Sequence, residues 1–296
     1  MSKPSIVALI PARANSKRVP NKNIRELGGH PLLAWTIASA KDSGIFEDVV
    51  VSTESPDIAQ VAVKYGATVP FLRPPGMATD ISPDIEWVRY TMQKLPQVQA
   101  HFDYDAFAIL RPTSPFRTAK TIRRAWREFH SAYADSLRAV EKCSQHPYKM
   151  WLVNERFDGM EPLFRAPEGE HPWHSTQYAA IPEIYVQNSS LEIAWTRVLD
   201  GDQAQAGNVV VPFFTGGHEG LAIDYPQDFE RAEALLERGE VSKPDGLSVT
   251  RPSVGWRESA AMAYHDEPGL DKRSPYEAHE PFSDETLRAR ADVLTW

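Results

Sequence analysis

Cysteine is nearly absent: Cys143 is the single one in 296 residues. A lone thiol excludes an internal disulfide framework and any multi-cysteine zinc centre, and it suits a reducing compartment. Long apolar runs are missing too. The run at residues 6–10 stops at Pro11 and Arg13, too short for the core of a signal peptide. No run approaches the roughly 20 apolar residues that span a bilayer. The expectation is a cytoplasmic chain with no membrane partner. There is no excess of positive charge either. Against 40 acidic residues stand 32 basic ones, giving a formal charge of −8 and a pI near 5.6, which argues against a nucleic-acid partner. GxxxxGK[ST], GxGxxG, GxSxG and HExxH do not occur. The chain therefore carries no Walker loop, dinucleotide fingerprint, hydrolase elbow or zincin helix.

What is present is patterned. Apolar residues at 42% and charged residues at 24% are ordinary for a globular chain. Short apolar runs at 6–10, 49–52, 69–72 and 106–110 read as strands. Between them, residues 31–40, 56–65, 83–95 and 119–129 carry apolar side chains at helical spacing. Ser55-Pro56 and Ser82-Pro83 read as a cap followed by proline at a helix start, Gly66 as a helix end, and Thr118 as a further cap. This alternation predicts an α/β fold: a Rossmann-like, mostly parallel sheet with helices on both faces. Ligands then belong at the carboxyl ends of its strands. Residues 137–140, 184–195 and 209–213 read as later strands, and 224–236 as a closing helix. The stretch 144–180 has no sustained period and reads as an excursion from the sheet. From 243 to 296 the composition turns polar and proline-rich. One domain is expected over 1–242, followed by an extension that is docked or partly disordered. Its few apolar anchors are Trp256, Leu270, Phe282 and Trp296.

The most informative segment is IPARANSKRVPNKN, residues 10–23. With Arg25 it places five cations, Arg13, Lys17, Arg18, Lys22 and Arg25, within thirteen residues of an acidic chain. A loop of this kind after a first strand can surround a triphosphate with cations and backbone donors. It can equally be a solvated basic loop.

At this point a family pattern is visible. The loop resembles the nucleotide-binding motif of the acylneuraminate (CMP-sialic acid, or nonulosonic acid) cytidylyltransferases. VVVSTESPDIAQVAVKYGATVPFLRP (49–74), ATDISP (78–83), LRPTSPFRT (110–118), HPYKMW (146–151), IYVQNSSLEIAW (184–195) and AIDYPQDFERAEALL (222–236) resemble that family's motifs in order. The resemblance spans about residues 5 to 238. It implies a nucleotidyltransferase that joins the anomeric hydroxyl of a nonulosonic acid to the α-phosphate of CTP and releases pyrophosphate, a sugar activation for polysaccharide biosynthesis. It implies Mg²⁺, with Mn²⁺ as a substitute, and a homodimer built through residues 144–195.

Carried over by motif, Arg13, Ser16, Lys17 and Lys22 hold the phosphates, with Arg13 and Lys17 catalytic. Asn23, Arg73 and Ser82 reach the base and ribose. Ser82 also reads as a helix cap, and Arg73 as a surface residue after a strand. On the sugar side stand Arg111, Thr113, Ser114, Lys149, Gln177 and Asn188. Arg111 replaces a frequent Gln and either pairs with a substrate carboxylate or compensates a neighbouring acid. Lys149 matches a lysine that crosses the family's dimer interface. An arginine often found in the family shortly before the step Ile181-Pro182 is missing from the stretch His174, Ser175, Thr176, Gln177, Tyr178, which points to a related nine-carbon keto acid, or another hydroxyl-bearing acid, rather than sialic acid itself. For the metal, the family commonly has two Asp residues two apart; here they are Ala222 and Asp224. Asp224 is the candidate Mg²⁺ ligand and catalytic carboxylate, or else a helix N-cap. The rival expectations are a cytidylyltransferase for a deoxy-octulosonate or phosphonate, a CTP-binding module with decayed catalysis, and, more distantly, a nucleotide-sugar glycosyltransferase.

Overall fold

The computed structural model describes residues 3–98, 103–154, 159–201 and 206–249. The chain forms β1 (Ile6–Pro11), a tiny hairpin of β2 (Glu26–Leu27) and β3 (His30–Pro31), α1 (Leu32–Ser43), β4 (Asp48–Ser52), α2 (Pro56–Lys64), α3 (Asp84–Val98), β5 (Ala106–Ile109), α4 (Ala119–Ser131) and β6 (Ser136–Lys142). A second hairpin follows, β7 (Trp151–Asn154) with β8 (Gly159–Pro162), then β9 (Tyr185–Trp195), β10 (Val210–Phe214) and α5 (Pro226–Glu237). The six-stranded sheet has the order β10-β6-β9-β5-β1-β4. Its pairs β1/β4, β1/β5 and β10/β6 are parallel, whereas β9 is antiparallel to both β5 and β6. The mostly parallel sheet expected from the alternation is therefore present.

Side chains alternate along β1. Ala8 and Ile10 join a cluster with α1, α2, α4 and α5, whereas Val7 and Leu9 join a second cluster with Trp87, Val88, Met92 and Leu95 of α3. Four helices thus cover one face and α3 the other, as period-2 strands buried on both sides require. α1 is buried almost all round.

Local signals held where chemistry is local. Ser55 Oγ accepts from Ile58 N–H at 3.4 Å with Pro56 opening α2, and Gly66 sits at φ +83° behind it. Thr118 and Thr121 cap α4 reciprocally. Three expectations need correction. Residues 69–72 are no strand: only Thr68 bridges Val50, because Pro70 has no N–H to continue the ladder. Ser82 does not cap α3. Its hydroxyl donates to Gly76 O at 2.9 Å and receives Thr79 N–H at 3.2 Å, closing the turn before the helix. Asp224 does not cap α5 either; Asp228 Oδ2 receives the N–H groups of Asp224 and Tyr225 at 2.8 and 2.7 Å.

Residues 243–249 lie on the domain. Lys243 Nζ donates to Gly28 O at 2.5 Å and Leu247 enters the core. The anchors Trp256, Leu270, Phe282 and Trp296 fall outside the described residues.

Candidate active site

β1, β4 and β5 end at one edge of the sheet, and three segments meet there. Leaving β1, Ala12 N–H donates to Ser52 O at 3.0 Å and Ala14 N–H to Glu54 Oε1 at 2.7 Å. Glu54 Oε2 in turn receives Arg73 at 3.3 Å. Arg73 is 4% exposed; burial lowers its pKa, with the Glu54 charge pulling the other way. Asn21 takes the left-handed conformation at φ +55°, which Asn tolerates better than most residues. The chain then turns Asn23 inward, where its amide donates to Arg13 O at 2.9 Å. Asn23 thus holds the loop on itself.

The five loop cations separate into distinct environments. Arg13 and Lys17 reach Asp80 at 2.7 and 2.5 Å. With Ser16, Glu54 and Thr79 they line an open cavity of about 520 Å³. Lys22 Nζ, largely buried, lies 3.0 Å from Ile223 O and 3.1 Å from Asp224 Oδ1, and Arg18 lies 3.7 Å from the same oxygen. Arg25 stacks over Phe229 at 4.5 Å. Ser82, on the turn behind Asp80, does not line the cavity.

A second charged group lies beyond β5. Arg111 Nη2 contacts Asp84 Oδ2 at 2.5 Å and Glu192 Oε1 at 2.9 Å, and Arg138 pairs with the other Glu192 oxygen. Asp84 also accepts from Trp87 Nε1 at 2.8 Å. Burial would raise the Asp84 pKa, but the hydrogen bond and charge of Arg111 outweigh it and hold the carboxyl below its ordinary value. Arg111 therefore compensates neighbouring acids in this structure. Beneath it the fully buried Arg117 donates to Arg111 O, Ser190 O and Thr36 Oγ1. Burial without a carboxylate pushes its pKa down to about 9. It fastens the turn that carries Thr113 and Ser114. Thr113 O receives Ile223 N–H at 2.8 Å, and the Ser114 hydroxyl is buried without a partner.

Asn188 joins three strands' ends: its amide donates to Glu141 Oε2 at 3.1 Å and Thr215 Oγ1 at 2.8 Å. It sits at the irregularity where β6 and β9 shift register. Lys149 and Gln177 stand apart on the excursion. Lys149 Nζ donates to His174 O and Thr176 O at 3.1 and 2.6 Å, and Gln177 is exposed. Of the excursion's tryptophans, Trp173 stacks on Tyr148 at 3.8 Å and Trp195 packs on Phe129 at 5.0 Å. Leu152, Val153 and Met160 of the β7/β8 hairpin stay exposed.

For a metal, the segment 221–224 lies outside any strand or helix and is pinned by the Ile223–Thr113 bond. Ile223 is buried and Asp224 half-exposed. Among the described residues no cluster of three His, Cys, Asp or Glu side chains forms a cage. One half-exposed carboxylate, Asp224, tied to the loop after β1 through Lys22, fits a magnesium ion that takes most of its oxygens from a nucleotide and water.

Sequence reasoning missed Glu54, Asp80, Asp84, Arg138 and Glu192. A carboxylate inside the otherwise apolar LEIAW strand was a signal for Glu192. Asp80 lies within the motif ATDISP, but its pairing was hidden, since its partners Arg13 and Lys17 lie more than sixty positions away.

A basic loop at the carboxyl edge of a mostly parallel sheet, opening on a cavity, is the setting of a phosphate-binding α/β enzyme. Comparison with known proteins narrows the class. The cytidylyltransferase family model matches residues 7–141. CMP-N,N'-diacetyllegionaminic acid synthase of Legionella pneumophila is 38% identical over 237 residues, covering 78% of this chain and 96% of that one. Pseudaminic acid cytidylyltransferase of Campylobacter jejuni is 33% identical over 149 residues, covering 50% of this chain and 63% of its own. The solved structure of CMP:2-keto-3-deoxy-manno-octonic acid synthetase with CTP superposes at a TM-score of 0.58 with 17% identity, over 79% of this chain and 99% of that one, a likeness of fold. The chain belongs to the cytidylyltransferase family and is a CTP-dependent nucleotidyltransferase. No described helix is long and apolar enough to cross a membrane.

Proposed function

We propose that the enzyme transfers CMP from CTP to the anomeric hydroxyl of a nonulosonic keto sugar acid of the legionaminic or pseudaminic type and releases pyrophosphate. The observation that carries this reading is the pair Arg13 and Lys17 facing one 520 Å³ cavity at the carboxyl edge of β1. The names of the relatives supply the acid class.

In the reaction the anomeric oxygen forms a bond to the α-phosphorus as the bond to the bridging oxygen of pyrophosphate breaks. The hydroxyl proton leaves with solvent or a neighbouring base. The protein's part is positioning and charge stabilisation. Arg13 and Lys17 take the negative charge that grows on the leaving group. Ser16 and the loop's backbone N–H groups orient the phosphates. Lys22 lies behind them with Asp224, and Asn23 keeps the loop in shape. Glu54 lines the cavity on the nucleoside side, with the buried Arg73 braced behind it. Arg111, Thr113 and Asn188 stand on the side of the acid, with the buried Ser114 behind Thr113 in the same turn. Asp224 would hold Mg²⁺, which, when bound, neutralises phosphate charge.

The enzyme works in the cytoplasm as a homodimer. Its exposed β7/β8 hairpin meets a second copy, and Lys149 and Gln177 stand nearest that contact. Residues 1–242 form the catalytic domain and 243–296 an extension. The substrate class is tested by comparing kcat/KM for legionaminic, pseudaminic, sialic and deoxy-octulosonic acids, with product mass read directly. A nine-carbon acid should lead; preference for the octulosonate would favour the rival reading, which the fold likeness alone supports only weakly.

A further inference from the structure

We propose that Asp80 is an internal counterion that the triphosphate must displace from Arg13 and Lys17. Its two carboxylate oxygens are divided between these cations, Oδ1 on the Arg13 guanidinium at 2.7 Å and Oδ2 on the Lys17 ammonium at 2.5 Å. All three side chains line the same cavity. Asp80 is presented by a preformed turn. Thr79 and Ser82 exchange hydrogen bonds through their hydroxyls at 2.6 Å, and Ser82 Oγ closes on Gly76 O. The hydrogen bonds from Lys17 and Arg13 hold the carboxyl below its ordinary pKa, so it is ionised at neutral pH.

The proposal rests on the reading that this cavity receives the triphosphate of CTP. Phosphate oxygens seek the same donors that Asp80 uses. They cannot approach them at full strength while a carboxylate stays between, because like charges at contact distance repel. Binding is therefore an exchange of ion pairs. Arg13 and Lys17 are kept in place, without mutual repulsion, by Asp80, then handed to the phosphates. After transfer Asp80 recaptures both cations, which weakens the hold on pyrophosphate. Asp80 is a positioning residue that sets triphosphate affinity.

The test is calorimetric titration of the full chain with inorganic tripolyphosphate, CTP and cytidine, without Mg²⁺, at low salt and at about 0.5 M salt. Asp80→Asn should tighten tripolyphosphate and CTP about three- to tenfold at low salt, the range expected for two exposed ion pairs. The gain should shrink at high salt, where exposed charges are screened. Cytidine should be unaffected, and Asp80→Glu, which keeps the charge, should stay near the parent. Asp80→Ser carries the same expectation as Asp80→Asn should the latter fold poorly. Unchanged or weaker triphosphate binding in the uncharged variants overturns the proposal alone. A parent that binds neither tripolyphosphate nor CTP overturns the site reading and the proposal together.

Discussion

Lys22 Nζ donates to both the carbonyl of Ile223 and the carboxylate of Asp224, at 3.0 and 3.1 Å. This links the loop after β1 to the start of α5 across some two hundred residues of sequence. Asp224 is thereby fixed against the loop after β1 by a cation, not by a helix cap, since Asp228 does the capping.

That relationship makes the metal prediction sharp. Asp224→Asn should raise the Mg²⁺ concentration for half-maximal rate while leaving the α5 cap, which Asp228 supplies, in place. Ala222→Asp should lower it by adding a second carboxylate two residues away. Rate against Mg²⁺ for the parent and both variants decides. An Mg²⁺ concentration for half-maximal rate that does not move in Asp224→Asn would remove this residue from the metal site.

The phosphate loop makes a larger forecast. Arg13→Ala and Lys17→Ala each remove a contact that strengthens as charge moves to pyrophosphate. Each should raise the barrier by about 2.7–4 kcal/mol, the loss seen when one preorganised oxyanion donor is deleted. Steady-state kcat within about threefold of the parent in either variant would contradict the assignment.

Asp84 predicts a pH dependence. Its folded-state pKa is depressed, so its stabilisation is fully present above the ordinary carboxylate value of 3.8 and is lost as pH falls through the lower folded value. Asp84→Asn should destabilise by about 1–3 kcal/mol at neutral pH, between exposed and buried ion pairs. The two unfolding curves should converge below pH 3.8, as the parent's carboxyl becomes neutral. A difference that stays constant down that range would show that the charge is not what stabilises.

How much of this was legible depends on the range of the interactions. The caps at Ser55 and Thr118 and the turn at Gly66 were readable because each involves neighbours three or four positions apart. Apolar runs gave β1, β4 and β5 for the same reason. The direction of β9 was not readable, since a strand's apolar pattern is the same in either direction. The sequence around Arg111 is compatible with two roles, and the acids that select one of them, Asp84 and Glu192, lie 27 and 81 positions away. Cation clustering identified the loop; only the fold revealed that Asp80 neutralises part of it.

The β7/β8 hairpin predicts assembly. Leu152 and Val153 lie exposed on a two-stranded ribbon that is detached from the main sheet, and isolated hairpins are marginal in water. Light scattering should show a dimer at about micromolar concentration, a range a standard interface supports. The paired substitutions Leu152→Asp and Val153→Asp should give monomers. A monomeric parent with full activity would refute the arrangement.

The most direct measurement is ³¹P nuclear magnetic resonance of the full chain with CTP, Mg²⁺ and a legionaminic-type acid. The account predicts equal amounts of pyrophosphate and a single CMP–acid phosphodiester, both dependent on the acid. CTP left intact with every nine-carbon keto acid, or release of CDP and inorganic phosphate instead, would contradict it.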